Sequence, residues 1–127
     1  MRVGAVIAAA GTPGGFRAYD KLKNTDRNAM LRRMIYTFRR AGAEDIVVVT
    51  GYRAQETEKS LAKLGAAFLR CCDYEHVQML DLAVQGFRYL KNCDRIFFCP
   101  ADVLRFTEDT LKAMMECATT RQARVVI

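Results

Sequence analysis

The sequence predicts an α/β fold in which strands and helices alternate around a mostly parallel sheet. Short apolar, β-branched runs recur along the chain, and between them apolar residues recur at the three- and four-residue spacing of a helix. Parallel strands need crossover connections, and helices of this length provide them. With 127 residues, the chain is long enough for one domain with a sizeable core. We therefore expect a single domain over residues 1–127, with helices on both faces of the sheet.

The first predicted strand, Val3 to Ala9, leads into small residues and a glycine-rich loop at residues 11–15. Without bulky side chains, a ligand can approach the main chain closely, and free N–H groups suit a phosphate or a base edge. The loop lacks the Gly-Lys-Ser/Thr ending of a P-loop. It is closer to a dinucleotide fingerprint, but Glu44 and Asp45 lie at the beginning of the second strand rather than at its end, so no acidic residue stands where a ribose ligand is expected. A Rossmann-type cofactor binder stays open as an alternative.

A helix and a buried strand come next. Apolar residues recur at helical spacing over residues 30–38, either Asp26 or Asn28 can cap this helix, and Gly42 ends it. The β-branched run at residues 45–50 is typical of a strand that is buried on both faces.

The middle of the chain predicts a short helix, a short strand and a longer helix. Gly51 turns the chain into a helix that ends near Gly65, and residues 66–69 form the third strand. Apolar residues at helical spacing predict the next helix over residues 77–91. Asp81, inside this helix, points either to a ligand crevice or to solvent.

The last third of the chain predicts a strand, a helix and the opening of a fifth strand. Residues 95–99 are predicted to form the fourth strand, since residues 96–99 are strongly apolar, and Pro100 ends it. Thr107 suits an N-cap, with acidic residues in the first turn behind it. Residues 124–127 are expected to begin a fifth strand. An unpaired edge there would pair with a second copy of the chain or with a partner domain.

The composition favours small anionic partners. The 20 Lys and Arg residues exceed the 14 Asp and Glu residues, for a net charge of +6, which suits nucleotides and phosphates. The arginines at 32, 33, 39 and 40 also fit a solvated helix face. We expect no nucleic acid partner, because the aromatic residues are not interleaved with basic ones. We expect no membrane partner, because no apolar run approaches 18 residues.

The five cysteines are odd in number and show no Cys-x-x-Cys spacing. This pattern favours a reduced, cytoplasmic protein over a disulfide framework. A zinc site is not expected, because His76 is the only histidine that could join them.

In a parallel sheet, ligands bind outside the carboxyl ends of the strands. The loop at residues 11–21, the segment 50–52 and the segment 100–102 should therefore lie at one edge. Asp102 follows an apolar strand and either holds Mg²⁺ or caps a turn. Arg17 and Lys21 either neutralise a triphosphate and its leaving pyrophosphate or are solvated loop charges.

Four segments together resemble the MobA-like nucleotidyltransferases, which include the molybdenum-cofactor guanylyl- and cytidylyltransferases and their sugar-phosphate relatives. They are Ala5-Val6-Ile7-Ala8-Ala9-Ala10-Gly11, the later Lys21, Ile46-Val47-Val48-Val49-Thr50-Gly51-Tyr52 and Phe98-Cys99-Pro100-Ala101-Asp102. The resemblance implies a Rossmann-like three-layer sandwich of the nucleotide-diphospho-sugar-transferase type. It also implies Mg²⁺-dependent transfer of a nucleoside monophosphate from CTP or GTP to a phosphate-bearing acceptor, with release of pyrophosphate.

The resemblance also implies roles for individual residues. The backbone of Ala9, Ala10 and Gly11 would hold the base and phosphates, and Lys21 would bind phosphates. Asp102 would bind the metal. The same loop offers two further candidates for nucleotide binding, Gly14 and Arg17.

The chain departs from the family pattern in ways that keep a second hypothesis open. Where the family loop reads Gly-x-Ser-x-Arg-Met-Gly, this chain has Pro13, Gly15, Phe16 and Arg17. Family domains are longer, so we expect truncation at the C-terminal side, with a second metal-binding acid beyond residue 127. The alternative is a non-catalytic nucleotide-binding or interaction domain descended from this family.

Overall fold

The fold is an alternation of strands and helices, as the sequence predicts. The structure is a computed structural model that describes residues 1–10, 24–101, 106–122 and 125–126. Within these ranges the elements are β1 (Val3–Ala9), α1 (Asn24–Arg40), β2 (Asp45–Thr50), α2 (Ala54–Ser60), β3 (Ala67–Arg70), α3 (Met79–Tyr89), β4 (Arg95–Pro100) and α4 (Glu108–Thr120).

The four described strands form one parallel sheet in the order β3-β2-β1-β4. β1 is central, and all seven of its residues are buried. In the register, Ala9 lies opposite Thr50 on one side, and Ala8 lies opposite Pro100 on the other. The carboxyl ends of these three strands therefore meet at one edge of the sheet.

Helices cover both faces of the sheet, which makes three layers. Successive β1 side chains point to opposite faces, and each face has its own apolar cluster. On one face, Ile7 packs with residues of α1 and α4, among them Phe38 and Leu111. On the other face, Val6 packs with residues of α3 such as Leu82. A Cβ on Gly86 would overlap the side chain of Val6, so this glycine lets α3 lie close against β1.

The two ends of α1 differ in how well the sequence predicts them. α1 already includes Asn24, so Asp26 and Asn28 lie inside the helix, and neither is its N-cap. That prediction is wrong because the helix extends beyond its apolar stripe, which begins only at Met30. The C-terminal prediction is confirmed: Gly42 has a φ of 104°. Its N–H donates to Arg39 O, and the N–H of Ala43 donates to Phe38 O, as in a Schellman motif.

α2 is shorter than the sequence suggests. It ends at Ser60, and Leu61 is its C-cap, so the chain reaches Gly65 through a turn rather than through a helix. Arg39 of α1 donates to the carbonyl oxygens of Leu64 and Gly65 at 3.2 and 2.9 Å, which stabilises this turn.

The end of the described chain does not continue the sheet. Val125 and Val126 belong to no strand, and Val125 is 76% exposed. The predicted fifth strand is therefore wrong at these two positions, because neither residue pairs with a described strand. Arg124 and Ile127 lie outside the described residues. Among the helices that the structure describes, none is long and apolar enough to cross a membrane.

Candidate functional site

The carboxyl edge of the sheet brings together the described residues that follow three strands: Ala10 after β1, Gly51 after β2 and Ala101 after β4. The N–H of Ala101 donates to Ala8 O at 2.9 Å, which holds the end of β4 against β1. Ala9 and Ala10 are almost fully buried, with exposures of 0 and 1%. The described residues at this edge therefore have small side chains, so little side-chain bulk separates the main chain from its surroundings.

Gly51, directly after β2, lies tightly against this edge. A Cβ at residue 51 would be 3.0 Å from both the Cβ and the carbonyl oxygen of Ala10, and 2.7 Å from the Cβ of Tyr74. Such distances are shorter than ordinary carbon contacts of about 3.5–4.0 Å. Only glycine fits between these two neighbours without a shift, so Gly51 joins the ends of β1, β2 and β3 closely.

A cleft of about 480 Å³ opens beside Gly51, between the β2–α2 loop and the segment that follows β3. We call it the β2–β3 cleft. Its volume falls in the range of small-molecule sites, about 300–1,000 Å³. Its lining residues are Gly51, Arg53, Ala54, Gln55, Glu56, Arg70, Cys71, Cys72 and Tyr74.

Arg53 shapes one wall of the cleft. It has a left-handed backbone, with φ 54° and ψ 38°, a conformation that costs a non-glycine residue about 1–2 kcal/mol. Its guanidinium carbon lies 5.3 Å from the centre of the Tyr52 ring, and the Tyr52 ring meets the Tyr74 ring edge-on at 6.3 Å. The cleft lining therefore includes the cation of Arg53 and the ring of Tyr74, and the Tyr52 ring contacts both.

Arg70 lies on the opposite side of the cleft and is fixed by Glu58. Arg70 Nε donates to Glu58 Oε2 at 2.8 Å, and the Thr50 hydroxyl donates to the same oxygen at 3.0 Å. The hydrogen bond from Arg70 holds the pKa of Glu58 below its ordinary value, against the opposing effect of burial. This network ties the end of β2 to α2 and β3.

The structure places some of the predicted site residues and does not describe others. Ala9 and Ala10 lie at the carboxyl edge, and their contacts with a nucleotide stay predictions. The remaining candidates lie outside the described residues, and their roles stay predictions; they are Gly11, Gly14, Arg17, Lys21 and Asp102. In the ranges that are described, no three His, Cys, Asp or Glu side chains form a group that could hold a metal ion.

Other sequence-based questions are settled by local contacts. Asp81 forms a capping box with Gln78, whose backbone N–H donates to Asp81 Oδ2 at 2.9 Å. Asp81 is exposed at the start of α3 and has this structural role. His76 is exposed in a turn. The five cysteines all lie in described ranges, and no disulfide joins them.

Comparison with known proteins decides the family. The model of the MobA-like NTP transferase domain matches residues 5–127. The chain belongs to this family. No curated protein matches it in sequence.

Solved structures with the fold of this MobA-like chain are nucleotidyltransferases, among others. A nucleotidyl transferase from Methanothermobacter thermautotroptrophicus is 23% identical with a TM-score of 0.71, covering 91% of this chain and 57% of that one. CTP:phosphocholine cytidylyltransferase from Streptococcus pneumoniae is 21% identical with a TM-score of 0.63, covering 86% and 50%. A Mycobacterium tuberculosis H37Rv protein in complex with manganese is 17% identical with a TM-score of 0.66, covering 94% and 61%. The MobA-like chain thus spans between half and about three fifths of these structures.

Sequence reasoning missed the side chains that line the β2–β3 cleft. Arg53 and Tyr74 lie in irregular segments, where neither periodicity nor a motif marks them. Arg70 sits at the last position of β3, and its sequence signal, a charged residue after an apolar run, is the same one that singled out Asp102.

Proposed function

We propose that this MobA-like chain binds a nucleoside triphosphate at the carboxyl edge of its sheet. We further propose that it contributes the nucleotide half of an enzyme that transfers a nucleoside monophosphate. The acceptor is a phosphate-bearing small molecule, and pyrophosphate is released. The observation that carries the proposal is the packing of Gly51 against Ala10. It places main chain without bulky side chains beside a cleft that is large enough for a nucleoside.

In this proposal the nucleotide is divided between the β2–β3 cleft and the loop that follows Ala10. The β2–β3 cleft has polar groups for a base or ribose in Gln55 and Arg53, with Tyr74 as an aromatic surface. Lys21 and Arg17, which follow Ala10 in sequence, are the proposed partners of the phosphates. Triphosphate charge needs cations close by, and this loop supplies them.

The proposed reaction is an in-line displacement. A phosphate oxygen of the acceptor forms a bond to the α-phosphorus of the triphosphate. The bond between the α-phosphorus and the oxygen that bridges it to the β-phosphorus breaks, and pyrophosphate leaves with that oxygen. Positioning and charge neutralisation supply most of the catalysis. The described residues offer no complete metal site, so Mg²⁺ enters the proposal only through Asp102, with phosphate oxygens as further ligands. A bound Mg²⁺ would neutralise phosphate charge.

The known structures support the proposed substrate classes by analogy. One of them is named as a cytidylyltransferase that acts on phosphocholine with CTP, which pairs a triphosphate with a phosphate-bearing acceptor. For this chain, CTP or GTP is the proposed triphosphate, and sugar phosphates, phosphocholine and molybdenum-cofactor precursors are acceptors to assay. The absence of disulfides among the five cysteines is compatible with the proposed cytoplasmic location.

Calorimetric titration of CTP, GTP, ATP, UTP and NAD, each with and without Mg²⁺, tests the proposal. Selective binding of one triphosphate, strengthened by Mg²⁺, is the expected result. Asp102→Asn should abolish the Mg²⁺ enhancement while the far-UV circular dichroism stays unchanged. Asp94→Asn is the matched control, because Asp94 lies before β4 at the opposite edge of the sheet and accepts a hydrogen bond from Arg2 N. Unchanged Mg²⁺ dependence in Asp102→Asn removes Asp102 from the site.

A second candidate is a nucleotide-binding domain without catalysis. The loop sequence favours it, because Pro13, Gly15 and Phe16 replace residues of the usual family pattern. A pyrophosphate-release assay separates the two functions. Binding without pyrophosphate release, across the acceptors named above, supports the non-catalytic domain.

A further inference from the structure

Arg27 is a charged side chain inside the protein. It lies in the first turns of α1 and is only 3% exposed. Its position is four residues before Leu31, on the helix face that packs into the core. A buried charge is costly unless it is hydrogen-bonded, so its contacts indicate what the residue does for the fold.

Arg27 connects α1 to the elements that follow β2. Its Nη2 atom donates to the carbonyl oxygen of Tyr52 at 3.3 Å, and the same atom donates to the hydroxyl of Thr57 in α2. Thr57 is 1% exposed, so this part of the contact is shielded from water. A guanidinium presents several donors in a fixed plane, so it can hold two acceptors in a set geometry.

The segment that Arg27 holds is the β2–α2 loop, residues 51–53. One end of this loop, Gly51, touches Ala10 at the carboxyl edge. The other end, Arg53, has a left-handed backbone and lines the β2–β3 cleft. A strained backbone of this kind persists only when its surroundings fix it. Tyr52, the residue between these two ends, is the one whose carbonyl Arg27 binds.

We infer that Arg27 is a positioning residue for the nucleotide site, acting through the β2–α2 loop. The inference rests on the proposed function, since it assumes that the β2–β3 cleft and the Ala10 edge receive a nucleoside triphosphate. Arg27 has almost no exposed surface with which to contact that ligand. It fixes Tyr52, and thereby the relative placement of Gly51 and Arg53, before the ligand arrives. Pre-organisation of this kind raises affinity because less ordering remains for binding.

Arg39 offers a matched comparison on the same helix. It also donates to two carbonyl oxygens, those of Leu64 and Gly65, but at the C-terminal end of α1 and in the turn before β3. That turn lies at the amino end of the parallel strands. Arg39→Lys therefore removes a similar tether without touching the loop beside the site.

The test compares Arg27→Lys, Thr57→Val and Arg39→Lys with the wild type. Hydrogen–deuterium exchange of residues 51–57 reports on the loop, and calorimetric titration with CTP and GTP in Mg²⁺ reports on the site. We expect Arg27→Lys to speed exchange in residues 51–57 and to weaken triphosphate binding about tenfold, equivalent to about 1.4 kcal/mol. Thr57→Val should change both readouts in the same direction. Arg39→Lys should leave triphosphate affinity unchanged.

The outcomes separate this inference from the proposed function. If the wild type binds a triphosphate and Arg27→Lys binds it equally well, the positioning role is refuted and the proposed function stands. Equal losses of affinity in Arg27→Lys and Arg39→Lys refute it as well, because they indicate a general loss of stability. A folded wild type that binds no triphosphate overturns both. Should Arg27→Lys not fold, Thr57→Val decides by the same criteria.

Discussion

Replacing Gly51 by alanine tests how closely the carboxyl edge is packed. The added methyl group would start 2.7 Å from the Cβ of Tyr74 and 3.0 Å from two atoms of Ala10. Carbon contacts relax to about 3.5–4.0 Å, so the neighbours must move by close to 1 Å. One of the neighbouring atoms is the backbone oxygen of a buried residue, which cannot swing away as a flexible side chain can.

The size of the effect follows from this geometry. Overpacking a well-packed region by one methyl group costs about 1–3 kcal/mol, and we expect Gly51→Ala to lower the free energy of unfolding by about 2 kcal/mol. The same shift separates Ala10 from the β2–β3 cleft. If the nucleotide spans both, its affinity should fall at least tenfold.

Urea denaturation and calorimetric titration with CTP and GTP measure the two effects on one preparation. Gly42→Ala is the control, since Gly42 has a backbone conformation that disfavours alanine, with φ 104°, but open space around its Cβ position, whereas Gly51 is constrained by close neighbours. The control should lose stability and keep its nucleotide affinity. A Gly51→Ala protein with wild-type stability and affinity would refute the reasoning, because the edge would then have room that the structure does not show.

Two further predictions concern stability. Glu58→Gln should lower the free energy of unfolding by about 1 kcal/mol at pH 7. In the folded protein the pKa of Glu58 is held below its ordinary value of 4.5. The stabilisation by Glu58 is therefore present above pH 4.5 and is lost as the pH falls through the folded pKa. Urea midpoints at pH 7 and pH 3 check this, with exposed Glu116→Gln as control, and a difference from wild type that stays the same at both pH values contradicts the assignment. Thr107→Ala should cost about 1 kcal/mol, because the Thr107 hydroxyl caps α4 by accepting from the N–H of Thr110 at 3.3 Å; an unchanged thermal midpoint would show that this cap contributes little.

The strands could be predicted from sequence because burial on both faces leaves a plain signal. The bounds of Val3–Ala9 and Asp45–Thr50 were predicted to the residue. Runs of small and β-branched residues of only six or seven positions favour a strand over a helix. Parallel topology then followed from the intervening helices. It placed Gly51 and Ala101 at one edge, together with the loop that follows Ala10, and the structure confirms this edge for Gly51 and Ala101.

The walls of the site could not be predicted in the same way. The β2–β3 cleft depends on the left-handed backbone at Arg53 and on a turn that brings Tyr74 to Gly51. Both are tertiary features without a local pattern. The spacing of Arg27 from Leu31 places it on the buried face of α1. An arginine at that position is nevertheless typical of the exposed margin of an apolar helix face, so its burial could not be predicted.

The central position of β1 has a consequence for biosynthesis. β1 is translated before β2 and β4, yet it pairs with β2 on one side and with β4 on the other. The hydrogen bond from Arg2 N to Asp94 joins residues 92 positions apart. A nascent chain therefore carries an apolar strand with one unpaired edge until β4 has been translated. Such a chain is exposed to aggregation during that interval, so its yield in cells should depend on chaperones and on the rate of translation through residues 95–100.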